Sequence, residues 1–193
     1  MAETAPTIRS YSFPAMLSYA GSHLTSEQLD RVRAGAPRIF GRVAQDDIKG
    51  DVPLDEVIEF YRAIEAELGT VEATYAFIRA CSDEGVGQAA LSSFLRLVIK
   101  FMPVNVFARK CRDFYRRDVN CGQVALESFD GDARRFVLTM TGMMPYPYSA
   151  AAMQGVVFCM MKAMGHERTQ ITEELHPPPA PQTHDEYRLV VTW

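Results

Sequence analysis

Histidine is missing from most of this chain. Among 193 residues there are four, and none lies between His23 and His166. No P-loop, G-x-G-x-x-G fingerprint, G-x-S-x-G elbow or H-E-x-x-H helix occurs. The nucleotide-binding, hydrolase and metalloprotease classes that such motifs would announce therefore have no support here. Cys81, Cys111, Cys121 and Cys159 are scattered without a C-x-x-C pair. The polar opening MAETAPTIRSYSF lacks the basic start and apolar segment of an export signal. Free thiols in a reducing cytoplasm are expected. No apolar run reaches the roughly 18 residues of a membrane span. Net charge is −4, so the whole chain offers no electrostatic footprint for nucleic acid.

What is present reads as an ordinary folded domain. Apolar residues make up 48% and charged residues 23%, enough to bury a real core. Residues 1–12 are expected to be a flexible leader, and 13–193 a single α+β domain. In HLTSEQLDRVRAG, Thr25 and Gln28 form a capping box, Leu24 and Leu29 a hydrophobic staple, and Gly35 the stop. GDVPLDEVIEFYRAIEAELG places Val57, Phe60, Tyr61, Ile64 and Leu68 on one helical face, with Asp55 and Glu56 in the first turn and Gly69 at the end. Thr70 caps a third helix, which SDEGVG interrupts. A fourth runs from about 88 to 101 with Leu91, Phe94, Leu95, Val98, Ile99 and Met102 inward, until Pro103 breaks it. A fifth turns Val104, Phe107, Cys111 and Phe114 inward.

The period then changes to two. Val124 and Leu126 alternate with polar residues, Asp130-Gly131 supplies a turn, and Phe136, Leu138 and Met140 alternate again, which is a β-hairpin. Ser149 is expected to cap a helix whose inner face is Met153, Val156, Val157, Met160 and Met164, with Met161 beside it and Gly165 ending it. A strand over 167–175, an exposed HPPPAPQTH loop and a last strand with Tyr187, Leu189, Val191 and Trp193 on one face complete the chain. N-terminal helices followed by a four-stranded, mostly antiparallel sheet are predicted, with the 149–164 helix on the sheet.

Few residues suggest chemistry. His166, His176 and His184 come close together late in the chain, but their spacing matches no zinc site, and surface positions are expected. His23 precedes the first helix cap. The acidic pairs Asp46-Asp47, Asp83-Glu84, Glu173-Glu174 and Asp185-Glu186 adjoin no histidine or serine arranged for acid–base work. GVGQAA follows an acidic turn instead of a strand, which weakens it as a dinucleotide signal. Arg109, Lys110, Arg112, Arg116 and Arg117 fall within nine residues, opposed by Asp113. Arg109, Arg112 and Arg116 share a helical face, which suits either solvent or an anionic partner.

The element order, with FYRAIEAELG, ARKCRDFYRRDVN, MQGVVFCMMKAMG and DEYRLVVTW, resembles the superfamily of heme-nitric-oxide/oxygen sensor domains, 4-vinyl-reductase-like domains and Bet3-like transport-particle subunits. Within it the chain is most similar to a myxobacterial paralogous family of uncharacterised domains. The sensor resemblance implies a proximal histidine on a mid-chain helix and a Tyr-x-Ser-x-Arg clamp for the heme propionates. This chain departs on both: no mid-chain histidine exists, and YPYSAAAM supplies Tyr146, Tyr148 and Ser149 with no arginine before Arg168. A cysteinate ligand from Cys111 has no supporting motif. The vinyl-reductase-like domains carry metal-binding cysteines near the C-terminus, and none follows Cys159 here.

The expectation is a non-catalytic cytoplasmic sensor or interaction domain without heme, metal or other cofactor. Its pocket for a small apolar ligand would be formed by Phe94, Val98, Phe107, Tyr146, Tyr148, Met153, Val157 and Met160, between the 94–102, 107 and 153–164 helices. A protein partner, with anionic groups meeting the basic run, and a homodimer are also expected. The alternatives are a dimeric scaffold subunit and a heme- or metal-binding gas sensor.

Overall fold

The computed structural model describes residues 5–9, 11–45, 50–91, 93–142, 148–175 and 186–193, with the side chains of 90 and 93–95 outside that set. The expected HPPPAPQTH loop, Tyr146, His176, His184, Asp46, Asp47 and Asp185 lie outside the described residues.

The N-terminal half is helical. Helices α1 (Ser12–His23), α2 (Ser26–Gly35) and α3 (Pro37–Ala44) pack with α4 (Leu54–Leu68) and α5 (Val71–Ala80). The capping box of α2 forms as the sequence indicates: the Gln28 amide donates to Thr25 Oγ1 at 3.2 Å, and the Thr25 amide to Gln28 Oε1 at 3.0 Å. Gly69 ends α4 in the left-handed region at φ 74°, where a Cβ would be strained. Gly35, expected as a stop, is helical instead. A Cβ there would lie 2.9 Å from that of Ala63, so glycine brings α2 and α4 together.

The flexible leader expected over 1–12 is corrected for its last residues. Strand β1 (Thr7–Arg9) pairs antiparallel with β2 (Asp51–Pro53), and α1 begins at Ser12. Asn120 fastens this edge: its Oδ1 accepts from the Thr7 amide at 2.6 Å, and its Nδ2 donates to the Ala5 carbonyl.

SDEGVG does not interrupt the third helix. Cys81–Gly87 continues α5 as a π-helix, followed by a short α6 (Gln88–Ala90). The expected fourth helix is broken at Leu91, with ψ 73°, and resumes as α7 (Ser93–Lys100). Pro103 separates α7 from α8 (Val104–Asp118).

The C-terminal half is the predicted antiparallel sheet. Strands β3 (Gln123–Asp130), β4 (Arg135–Thr141), β5 (Gln170–Glu173) and β6 (Tyr187–Thr192) take the order β3-β4-β6-β5. Register shifts between Leu126 and Ser128, and Glu127 at that bulge binds the Arg188 guanidinium through both oxygens at 2.8 Å. Phe136, Leu138, Tyr187, Leu189 and Val191 are fully buried.

Between the halves lies α9 (Ser149–Ala163). Tyr148 is its N-cap, its side chain not capping a helix amide, and Ser149 is the first helical residue; the expected Ser149 cap is therefore corrected by one position. Val157, Cys159, Met160 and Met161 join the sheet-side core, while Ala151, with Tyr148, joins the core of the N-terminal helices. A helix buried on two sides needs small residues where backbones cross. A Cβ on Gly155 would lie 2.2 Å from the Arg79 carbonyl oxygen, and one on Gly87 would lie 2.6 Å from Cys159 Cβ.

Candidate functional site

A cavity of about 190 Å³ lies where the two halves meet. One wall comes from the N-terminal elements: Ile8 and Arg9 of β1, Tyr11 beside it, Met16 of α1, and Leu54, Val57, Ile58 and Tyr61 of α4. The opposite wall is the inner face of α8, with Phe107, Cys111, Phe114 and Tyr115, and α9 contributes Ala152, Met153, Val156, Val157 and Met160. Ser82 and Val86 of the π-helix close one side. A π-turn widens the helix by one residue per turn, and such turns are frequent at functional sites. The next residue in this turn, Asp83, points the other way and meets Lys162 Nζ of α9 at 2.7 Å.

Charge is kept to the rim. The guanidinium of Arg9 sits 3.2 Å from Asp51, and that of Arg117 is 2.7 Å from Asp118. Tyr11 Oη also donates to Asp118, at 2.8 Å. Inside, burial disfavours every charged form. Desolvation pushes the Cys111 thiol up to about 12 and raises Tyr61 and Tyr115 well above the usual tyrosine range. Tyr11 rises to about 12, chiefly by burial and then through the Asp118 carboxylate. At neutral pH the interior is thus uncharged, and its surface is made mainly of hydrocarbon, aromatic rings and thioethers.

Of the eight expected pocket residues, Phe107, Met153, Val157 and Met160 line the cavity. Two are corrected. Val98 is 39% exposed, and among the described side chains of α7 it is Ile99 that lines the cavity. Tyr148 is fully buried but belongs to the core of the N-terminal helices. The Phe94 side chain and Tyr146 fall outside the described residues. The wall from β1, α1 and α4 lies beyond the residues that the sequence points to. The α4 signal was present in its apolar face, although its spacing does not say that this face is hollow.

The remaining candidates resolve individually. The His23 ring stacks on Tyr19 at 3.9 Å, and its Nδ1 is 2.9 Å from the Tyr19 carbonyl oxygen. His166 lies 6.2 Å from the Trp193 ring. Neither lines the cavity. Among the described residues no group of three or more His, Cys, Asp or Glu side chains is placed to hold a metal ion. Glu173 is buried and accepts from the Leu175 and Arg188 amides, Glu174 meets Arg188, and Glu84 is exposed. Gly87 of GVGQAA serves helix packing instead of a phosphate loop. Arg109, Lys110, Arg112, Arg116 and Arg117 are all exposed on α8, with Lys110 paired to Asp113. No described helix is long and apolar enough to cross a membrane.

No family model matches the chain, and no curated protein matches it. Solved structures do. An H-NOX protein from S. oneidensis, in its Fe(II)NO ligation state, is similar over 95% of this chain and 98% of its own, with a TM-score of 0.62 and 10% identity. The Fe(II) unliganded H-NOX protein from K. algicida is similar over 96% of both chains, with a TM-score of 0.63 and 11% identity. A mutant of T. tengcongensis H-NOX covers 95% of this chain and 96% of its own, with a TM-score of 0.60 and 8% identity. The chain has an H-NOX-like α+β fold.

Proposed function

We infer that the protein is a non-catalytic sensor domain that binds a small apolar ligand without heme and passes the signal to a partner. The observation that carries this reading is the cavity itself, which is walled by both halves of the fold, mainly apolar and free of histidine among its described lining residues. A ligand there would touch β1 and α4 on one side and α8 and α9 on the other. Occupancy would change how the halves fit, which is what a sensor requires. Membership of the myxobacterial paralogous family is part of the same reading.

A heme-binding gas sensor is the second reading, and the solved structures favour it because those proteins are described with Fe(II) ligation states. The residues of this cavity fit such a group poorly. Histidine ligation has no donor among the described lining residues. The thiols of the lining are Cys111 and Cys121, and burial favours the neutral form of Cys111 as long as no metal replaces its proton.

The deciding experiment is an absorption spectrum of protein produced in heme-replete cells, followed by titration with N-phenyl-1-naphthylamine, an uncharged fluorescent probe. The expected result is no Soret band and a saturable fluorescence rise. A Soret band would restore the heme reading. Absence of both chromophore and probe uptake would mean a filled core and would end both readings.

A further inference from the structure

We propose that the corner formed by α7 and α8 docks on an anionic lipid surface. Six large apolar side chains are exposed among the described residues, and four of them lie between residues 97 and 106: Leu97 (57%), Val98 (39%), Phe101 (74%) and Val106 (39%). They gather at the elbow where Pro103 turns the chain from α7 into α8. Scattered exposed leucines need no explanation, but a cluster of this kind does.

Charge complementarity identifies the occupant. Between residues 96 and 117 there are seven cations and one acid, Asp113, in a chain whose net charge is −4. Lys110 pairs with Asp113 and Arg117 with Asp118. Arg109, Arg112 and Arg116 share one exposed face of α8 and form no ion pair among the described residues. Bulky apolar side chains at a helix tip, beside a helix face of cations, are the two elements of interfacial binding: shallow apolar insertion plus attraction to acidic headgroups. Acidic side chains of a protein partner would account for the arginines but not for Phe101, 74% exposed near them, whereas a lipid surface takes both. The inference is independent of what fills the cavity, although α8 serves both: Phe107, Cys111 and Phe114 face inward, and the arginines face outward.

The test is co-sedimentation of the full chain with phosphatidylcholine vesicles, with and without phosphatidylserine. Binding is expected only with phosphatidylserine and is expected to fall as salt rises. Each cation near such a surface is worth roughly fivefold in affinity, so Arg109→Gln, Arg112→Gln and Arg116→Gln together should weaken binding roughly a hundredfold. Phe101→Asp, at a site mostly in solvent, should weaken it without lowering the unfolding midpoint. No sedimentation, equal sedimentation with neutral vesicles, or full binding by the variants would each overturn the proposal. Salt-sensitive binding to polyglutamate without vesicle binding would overturn it by assigning the face to an acidic protein. A dimer dispersed by Phe101→Asp would overturn it by assigning the face to a second copy.

Discussion

Replacing Gly155 by alanine should pry α9 from the α5–π-helix segment. The new methyl would sit 2.2 Å from the Arg79 carbonyl oxygen, 2.7 Å from Ser82 Cβ and 2.8 Å from the Asp83 nitrogen. Ordinary contact begins near 3.4 Å, so the helices must separate by 3.4 minus 2.2, or 1.2 Å. Two of the three obstacles are backbone atoms, which cannot rotate away. Gaps of ~0.5–1 Å already forfeit a quarter to a half of the dispersion energy across an interface. Overpacking usually costs ~1–3 kcal/mol, and a backbone clash belongs at or above the upper end, about 4 kcal/mol. Alanine returns about 1 kcal/mol of helix propensity. The net loss is about 3 kcal/mol, a fall of roughly 6–12 °C in the unfolding midpoint for a chain of this size. Thermal unfolding followed by circular dichroism reads it directly. Gly41→Ala in α3 is the control: no atom lies within 4 Å of its added Cβ, so that variant should gain up to about 1 kcal/mol. A Gly155→Ala protein as stable as the parent would refute the close crossing, and with it the position of α9 between the halves.

Other consequences are equally open to measurement. Glu56 is almost fully buried and accepts from Arg42 Nε at 2.6 Å and Nη2 at 2.8 Å. Arg42→Met should cost about 2–3 kcal/mol in urea unfolding, less than a fully buried pair because the arginine is partly exposed, and adding Glu56→Leu should recover most of the loss. Simple additivity of the two substitutions would contradict this. Thiol labelling of the native protein should reach Cys121 first, since Cys81, Cys111 and Cys159 are buried. Rapid labelling of Cys111 would mean an open cavity wall. Burial pushes Cys81 and Cys111 up to about 12, whereas thiols of the unfolded chain ionise at about 8.5. Across that window the unfolded chain releases protons that the folded one keeps, so stability should fall as pH rises from about 8.5 toward 12 and be unaffected by these thiols below it. The Cys81→Ala/Cys111→Ala variant should show a shallower alkaline decline, and an unchanged slope would remove the thiols as its cause.

The sequence disclosed elements whose signals are local. The Thr25 and Gln28 capping box, Gly69 after α4, the alternation on either side of Asp130-Gly131 and the Tyr187–Thr192 strand all stand where the residues indicate. Helices α1 and α3 carry little local signal, for a physical reason. Neither has a side-chain N-cap, α1 carries Pro14 near its start, and α3 is eight residues long with Gly41 inside it. The π-helix could not be read from CSDEGVG, because its register is tied to a neighbour far along the chain, at Gly155. The cavity was half legible for the same reason. Periodicity tells which side of α8 and α9 faces inward, but not that β1 and α4 stop short of them and leave space. Tyr148 shows the limit most clearly: it is adjacent in sequence to the cavity residue Ser149 and yet buried in the other core.

Whether that space receives a ligand is best measured by a paired titration with N-phenyl-1-naphthylamine, using the parent chain and Ala152→Trp, which projects an indole into the cavity from α9. The account predicts saturable one-to-one uptake by the parent and its loss in the variant, with the unfolding midpoint of the variant no lower. Equal uptake by both proteins, or none by either, would contradict it.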